Sequence, residues 1–158
     1  MTTPSPDTSG VRVFPPLIYA GLFSVGYTAH RLAPMHLFVD LPAALRLGGW
    51  ALVALALLLA ASAGLLMFRA GTPPNPRRPT TVLVLHGPYR FTRNPMYLAL
   101  ALLYLGAALL VNSAWPLALF PVAIMLVERW VIAREEAYLE RVFGDGYRAY
   151  KARVRRWL

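Results

Sequence analysis

Charged residues are collected in a few short stretches, and long apolar intervals separate them. No Asp, Glu, Lys or Arg occurs between Arg46 and Arg69, or between Arg93 and Glu128. A helix needs roughly 20 apolar residues to cross about 30 Å of hydrocarbon. The first interval therefore predicts one membrane span, over about residues 47–68. The second interval is too long for one helix.

Turn signals divide this second interval. Asn112-Ser113 is followed closely by Trp115-Pro116, a pattern typical of a turn and a new helix start. We predict a helical hairpin with spans over about 95–111 and 115–133. A weaker apolar stretch over about 13–29 opens at Pro15-Pro16, which a first helical turn tolerates. The pattern predicts an all-α, polytopic membrane bundle of about four transmembrane helices in a single domain, residues 1–158.

Composition supports a membrane protein and excludes other classes. Of the 158 residues, 58% are hydrophobic and 15% are charged, whereas soluble domains contain about 25% charged residues. The absence of cysteine excludes a disulfide scaffold and thiolate metal sites. The net charge of +9 could suggest nucleic acid, but nucleic-acid-binding proteins spread their charge over a polar surface. We expect membrane lipids as partners, and neither nucleic acid nor a metal ion.

The positions of the basic residues predict the orientation. Most of them lie in residues 69–93 and 129–156, and Arg12 precedes the first span. Because cytoplasmic loops carry excess Lys and Arg, and four spans return the chain to its starting side, we expect both termini in the cytoplasm. The first ten residues, MTTPSPDTSG, lack the basic region of a cleaved signal peptide, and no clear cleavage site follows the span, so we expect no cleavage. The Arg-rich, Ala/Leu-rich composition suggests a bacterial inner membrane.

Two polar segments lie on this predicted cytoplasmic side. In residues 71–97, prolines from Pro73 to Pro79 exclude a helix, residues 80–85 are expected to be extended, and Gly87-Pro88 turns the chain. The second segment begins at Glu128 as a cytoplasmic helix that continues the last span. We expect Gly144 and Gly146 to end that helix and to leave a basic amphipathic tail.

The polar residues of these segments allow two interpretations. At helical spacing Glu128 and Glu135 share one face, and Arg129 and Glu136 share another. They form either solvated charge pairs or a site in which carboxylates hold a cationic or hydroxyl-bearing ligand. His86 is either an ordinary loop residue or a proton acceptor. The aromatic residues near it are either an interfacial belt or part of a site.

The same segments resemble the isoprenylcysteine carboxyl methyltransferase and phospholipid methyltransferase superfamily of integral-membrane enzymes that use S-adenosylmethionine. The resemblance covers residues 80–157, about half of the chain. It rests on Val84-x-x-Gly87-Pro88-Tyr89-Arg90-x-x-Arg93-Asn94-Pro95-x-Tyr97, then Arg134-Glu135-Glu136-x-x-Leu139, and finally Phe143-Gly144-x-x-Tyr147-x-x-Tyr150-x-x-x-Val154.

The resemblance implies that S-adenosylmethionine binds between segments 80–97 and 128–154. Asn94 stands where the eukaryotic pattern has a histidine, which removes a titratable group. Glu135 would hold the polar end of the cofactor, with Glu136 beside it. The residues implied in cofactor binding are Leu83, Val84, Gly87, Tyr89, Asn94, Pro95, Tyr97, Glu135 and Glu136.

The acceptor is expected to be a small amphiphilic or lipid-like carboxylate, thiol or amine. A thiol or amine must lose a proton, for which His86 is the candidate, and Arg129 or Arg134 could bind an anionic acceptor. The superfamily's acceptor-contacting arginine falls near Val131, which disfavours a prenylcysteine substrate. Two alternatives stay open: an NADPH-dependent membrane reductase related to sterol reductases, with phosphate contacts from Arg77 and Arg78, and a non-catalytic membrane protein of the same fold.

Overall fold

The computed structural model describes residues 8–11, 13–75 and 78–158, so the predictions for Arg12 and Arg77 lie outside the described residues. The described part is helical, which confirms the all-α prediction. His36 and Ser113 form the only extended pairing within it. The helices are α1 (Pro15–Leu32), α2 (Ala43–Arg69), α3 (Pro95–Leu110), α4 (Ala114–Val127) and α5 (Ala133–Arg153).

Prolines and one asparagine determine where several helices begin. Pro15 and Pro95 each stand in a first turn, where the fixed φ of proline suits the helix and its missing N–H costs nothing. Between α3 and α4, Asn112 adopts a φ of 53°, a left-handed conformation that asparagine tolerates. The predicted break within the apolar run therefore lies where the sequence indicated.

The fourth predicted span continues into α5 without a break. Residues Glu128–Ile132 form a π-helical turn, and the continuous stretch Ala114–Arg153 has 40 residues. Up to the non-helical Gly144, this stretch is about 45 Å long at 1.5 Å per residue, more than the hydrocarbon thickness of about 30 Å. Only its apolar first part can therefore lie within a bilayer, and Glu135 follows the predicted span 115–133.

The predicted end of this helix is confirmed at Gly144 but not at Gly146. Gly144 leaves the helical conformation, with φ 53° and ψ −127°, and a second helical segment follows it and runs to Arg153. A glycine with positive φ thus ends one segment and turns the chain into the next. Aromatic residues after the kink explain the continuation, because Tyr147 and Tyr150 are both buried.

Within the described residues, two helices are long and apolar enough to cross a membrane, α2 and the continuous stretch that begins with α4; α3 is a shorter apolar helix. Only 11% of the most apolar window of α2 is buried, whereas the core helix of a soluble protein would be mostly buried. Leu47, Trp50 and Phe68 project from it, as expected for side chains that face lipid. That α1 and α3 also cross the membrane stays a prediction.

Small residues allow the helices to approach closely. On α2 and α3, a Cβ atom added to Gly106 would lie 2.8 Å from the carbonyl oxygen of Gly49, so glycine is required at this crossing. Helices α1, α3 and α4 share the main core. Its buried members are Val11, Ile18, Tyr19, Tyr97, Ala101, Tyr104, Ala123, Val127, Val131 and Ile132.

The connection between α2 and α3 is folded back onto the bundle. Its Val84 and Tyr89 pack against Ala63 of α2, and residues Gly87–Arg90 form a short 3-10 turn. The expected extended stretch over residues 80–85 pairs with no strand in the described chain; Thr81 instead hydrogen-bonds to Thr72 and Gly71. We call the side of the molecule that carries this connection the loop end.

Candidate functional site

A cavity of about 390 Å³ opens at the loop end, within the roughly 300–1,000 Å³ typical of small-molecule sites. Its walls come from α2, α3, α5 and the connecting residues 73–75 and 80–84, with the start of α1 at one side. The charged groups that line it, Arg93, Glu135 and Glu136, lie near the starts of α3 and α5. The remaining wall is mostly apolar, so the cavity has a polar end and an apolar arm.

At the polar end, two of the predicted residues contact each other directly. The Tyr97 hydroxyl donates a 2.7 Å hydrogen bond to Glu135 Oε1. The two side chains come from the first turns of α3 and α5. Burial raises the pKa of Glu135 to about 7, although the Tyr97 hydrogen bond opposes this shift. Glu135 therefore changes charge near neutral pH, inside a site of low polarity.

The neighbouring Glu136 has a very different environment. Arg93 Nη2 donates to its Oε1 at 2.8 Å, and Arg156 donates to both of its oxygens at 3.1 and 2.7 Å. Burial alone would raise the pKa of Glu136, but the Arg156 hydrogen bonds and the two positive charges hold that pKa below its ordinary value. Glu136 is thus a saturated, ionised member of a salt-bridge network.

The π-helical turn changes which acidic residues share a face. A straight α-helix would place Glu128 with Glu135, but a π turn adds about one residue. In the structure, Arg156 reaches Glu128 at 3.9 Å as well as Glu136 at 2.7 Å. Glu128 accepts a hydrogen bond from Trp157 Nε1 at 2.6 Å and does not line the cavity. The prediction that Glu128 and Glu135 share one face of the helix is therefore wrong.

The structure brings eight of the nine implied cofactor residues to this cavity, although their role in binding stays a prediction. Gly87 is the exception. It has a φ of 61°, and a Cβ atom there would overlap Leu66 of α2, so glycine lets the connection pack closely. The eight that line the cavity are Leu83, Val84, Tyr89, Asn94, Pro95, Tyr97, Glu135 and Glu136.

The three residues predicted to act on the acceptor do not meet at the cavity. His86, Arg129 and Arg134 are all exposed, and none of them lines it. Arg134 instead donates to the carbonyl oxygen of Gly10 at 3.0 Å. Arg129 and Arg134 point outward because Val131 and Ile132, between them, occupy the buried face of the helix. Arg78, proposed to contact a nicotinamide phosphate, is also exposed and away from the cavity.

Other lining residues escaped sequence reasoning. Arg93 and Tyr138 line the polar end, and the backbone N–H of Thr80 donates to the Tyr138 hydroxyl at 3.0 Å. The Tyr150 hydroxyl donates to the Tyr89 carbonyl oxygen at 2.7 Å. Arg93 and Tyr150 stand in the motifs that carry the family resemblance, which was the signal that could have identified them, whereas Tyr138 lies at an unspecified motif position. Alanine and leucine residues of the apolar arm carry no such signal, because lipid-facing positions use the same residues.

Comparisons with known proteins place the chain among relatives of similar sequence. The chain is 44% identical over 63 residues to an uncharacterized protein of Haemophilus influenzae, a match that covers 40% of this chain and all of that protein. It is 33% identical over 73 residues to the protein-S-isoprenylcysteine O-methyltransferase of Schizosaccharomyces pombe. That match covers 46% of this chain and 31% of the yeast protein. No solved structure matches the chain.

The family model for phospholipid methyltransferases matches residues 45–146. This range extends from the start of α2 past the Gly144 kink in α5. It therefore includes Tyr97, Glu135 and most of the cavity wall. The chain belongs to the phospholipid methyltransferase family, within the superfamily that also contains the isoprenylcysteine methyltransferases.

Proposed function

We propose that the protein is an integral-membrane, S-adenosylmethionine-dependent methyltransferase that modifies a small amphiphilic or lipid-like acceptor at the cytoplasmic membrane face. The observation that carries this proposal is the Tyr97–Glu135 pair, hydrogen-bonded at 2.7 Å in the wall of a 390 Å³ cavity. Family membership makes S-adenosylmethionine the expected methyl donor.

The residues present fit the chemical groups of this donor. The Glu135 carboxylate suits the ribose hydroxyls or the ammonium group, because hydrogen bonds to charged acceptors are the strong ones. Tyr89 and Tyr147 offer aromatic surface for the adenine ring or the sulfonium cation. Arg93 lines the same end and suits the donor carboxylate. When bound, the donor supplies an electrophilic methyl group on its positively charged sulfur.

The contribution of the chain to methyl transfer is alignment and exclusion of water. Methyl transfer is an in-line displacement, so holding the two reactants at the correct distance and angle supplies much of the acceleration. Glu135 and Tyr97 would fix the polar end of the donor, and the connection over Val84 and Tyr89 would cover it. With His86 away from the cavity, a carboxylate acceptor fits best, since it needs no base.

The acceptor would enter along the apolar arm. This part of the cavity is formed where the start of α1 meets the middle of α2 and α3. Its apolar wall could hold a hydrocarbon chain at the depth of the bilayer, while the reactive group meets the donor near Glu135. The residues concerned are Phe14, Pro15, Pro16, Ala56, Leu57, Ala60, Leu100 and Leu103.

The orientation completes the proposal. Basic residues concentrate at the loop end and along α5, which favours the cytoplasm for that side. This arrangement would place both termini in the cytoplasm and the protein in a bacterial inner membrane. Cellular S-adenosylmethionine would then reach the polar end of the cavity directly.

Turnover with a labelled methyl donor tests the proposal. Purified protein in nanodiscs is given methyl-labelled S-adenosylmethionine and a panel of amphiphilic carboxylates, thiols and amines, including phospholipids. We expect label transfer to at least one class, its loss in Glu135→Gln, and its retention in Glu140→Gln, which changes a surface carboxylate of the same helix. Transfer to no acceptor, together with tight NADPH binding, would favour the reductase alternative.

A further inference from the structure

Residues 155–157 follow α5 and lie back across the starts of both α3 and α5; we call them the C-terminal clasp. The carbonyl oxygen of Arg156 accepts hydrogen bonds from Thr92 Oγ1 and Asn94 Nδ2, both at 3.0 Å. One residue earlier, the carbonyl oxygen of Arg155 accepts the Arg93 N–H at 2.9 Å. The backbone of the clasp therefore holds the turn that begins α3.

The side chains of the clasp hold α5. Arg156 binds Glu136 through Nε and Nη2, one to each carboxylate oxygen, a two-point contact that fixes orientation as well as distance. Trp157 donates its indole N–H to Glu128 at 2.6 Å. A single residue, Arg156, thus joins the two segments that form the polar end of the cavity.

We propose that Arg156 is a positioning residue of the methyl-donor site, acting through Asn94 and Glu136 to set how Tyr97 and Glu135 face each other. Tyr97 lies on the turn that Asn94 begins, and Glu135 immediately precedes Glu136. Arg156 holds Glu136 through its side chain, which Arg156→Gln removes, and holds Asn94 through its backbone carbonyl oxygen, which that variant keeps but no longer anchors to α5. Both neighbours of the 2.7 Å Tyr97–Glu135 contact are therefore placed by the Arg156 side chain, one directly and one through the backbone. This inference rests on the proposed function, because it concerns the same donor site.

An electrostatic effect accompanies the geometric one. The negative charge of Glu136 raises the pKa of Glu135, and Arg156 is one of two arginines that offset that charge. Loss of Arg156 leaves the Glu136 charge less compensated, so the pKa of Glu135 should increase further. A purely structural tether would not change the pH dependence of donor binding in this way.

The test compares Arg156→Gln with Arg153→Gln. Arg153 is exposed at the end of α5, and among the described residues its side chain donates to the Ala149 carbonyl oxygen one turn earlier. Its substitution therefore removes the same charge and leaves the contacts of the clasp in place. Calorimetry measures the affinity for S-adenosylhomocysteine between about pH 6 and pH 8, around the pKa of Glu135. Melting curves establish that each variant is folded.

We expect Arg156→Gln to bind about tenfold more weakly, with the midpoint of its pH dependence moved upward. Arg153→Gln should behave as the wild type. Arg156→Lys keeps the charge but loses the two-point contact. It should therefore show the wild-type pH midpoint, with an affinity between those of Arg156→Gln and the wild type. If Arg156→Gln does not fold, Arg156→Lys tests the positioning role by itself: weaker binding than wild type supports the two-point contact, and wild-type binding contradicts it.

Two further outcomes separate this inference from the proposed function. Wild-type affinity and an unchanged pH midpoint in folded Arg156→Gln would overturn the clasp while leaving the donor site in place. A wild-type protein that binds no S-adenosylhomocysteine would overturn both. Hydrogen exchange without ligand provides an independent readout, since residues 92–97 should exchange faster in Arg156→Gln than in Arg153→Gln if the clasp holds them.

Discussion

Glu135 and Glu136 are adjacent in the chain but belong to two different regions of the site. Glu135 lines the cavity, and among the described residues its side chain accepts a hydrogen bond from the Tyr97 hydroxyl. Glu136 is held by Arg93 and Arg156 in a network that is largely shielded from solvent. Burial raises the pKa of Glu135 to about 7. Burial also acts on Glu136, but there the Arg156 hydrogen bonds and the charges of Arg93 and Arg156 together outweigh it and lower the pKa.

This difference in environment indicates different roles for the Glu135 and Glu136 carboxylates. A group near its pKa, in a cavity wall, can bind a ligand or exchange a proton, which is why perturbed carboxyls are typical of functional sites. A carboxylate already saturated by arginines contributes to the position of the helices. The motif therefore supplies one residue for the ligand and one for the architecture.

The largest expected effect is on stability, in Glu136→Gln. The side chains of Arg93 and Glu136 are only 9% and 7% exposed, and loss of one partner leaves a buried arginine without its counter-charge. Breaking such a pair costs about 3–5 kcal/mol. We expect a clearly lower melting temperature in nanodiscs, with Glu135→Gln much closer to the wild type. Equal melting temperatures for the two variants would contradict a structural role for Glu136 that Glu135 does not share.

The next largest effect is on donor binding, in Glu135→Gln. A hydrogen bond to a charged group contributes about 1.5–3 kcal/mol, so the affinity for S-adenosylhomocysteine should fall by about tenfold to a hundredfold. Glu140→Gln is the control, because Glu140 binds only Arg148 and Lys151 at the surface. Unchanged affinity in Glu135→Gln would show that the ligand does not use this carboxylate.

The two glutamates should also give opposite pH dependences of stability. Between the ordinary carboxyl pKa of 4.5 and about 7, folded protein keeps Glu135 protonated more than unfolded protein does. The free energy of unfolding therefore falls as pH rises through this window. Glu136 has a lowered pKa, so its contribution is complete above pH 4.5 and is lost as pH falls through its folded pKa.

Melting temperatures of the two Gln variants across this range measure the effect. Glu135→Gln should remove the loss of stability between about pH 5 and pH 7, and Glu136→Gln should remove the loss on acidification. The same slope in both variants would contradict the assignment of separate tasks.

The smallest expected effect belongs to Tyr97→Phe, which removes one hydroxyl and keeps the ring. The Tyr97 hydrogen bond stabilises the charged form of Glu135, so its loss should move the midpoint of donor binding to higher pH. We expect a few-fold weaker binding at neutral pH, less than in Glu135→Gln. The double variant Tyr97→Phe, Glu135→Gln should bind the donor no more weakly than Glu135→Gln alone, since the two side chains act together.

The helices and the residues around the cavity were predictable because each rests on a local signal. Apolar runs, Pro95 and the Asn112 turn are readable in the sequence, and the family motif named Tyr97 and Glu135. The phase of the last helix was not predictable, because the π turn at Glu128–Ile132 has no sequence signature. That turn moved Glu128 away from Glu135, while buried Val131 and Ile132 turned Arg129 and Arg134 outward.

Long-range contacts were the other missing information. The clasp joins Arg156 to Asn94 across 62 positions, and no periodicity in the chain indicates such a pairing. For the same reason His86 seemed a candidate base, although the 3-10 turn leaves it exposed. The kink at Gly144 was anticipated, but the buried tyrosines beyond it decide that the helix continues.

The central claim is that the cavity with Tyr97 and Glu135 in its wall is the methyl-donor site. Calorimetric titration of purified wild-type protein in nanodiscs with S-adenosylhomocysteine tests it most directly, with Glu135→Gln and Glu140→Gln titrated in parallel. We predict saturable binding at one site for the wild type and Glu140→Gln, and much weaker binding for Glu135→Gln. Folded wild-type protein that gives no binding heat, or that binds as tightly after Glu135→Gln, would contradict the account.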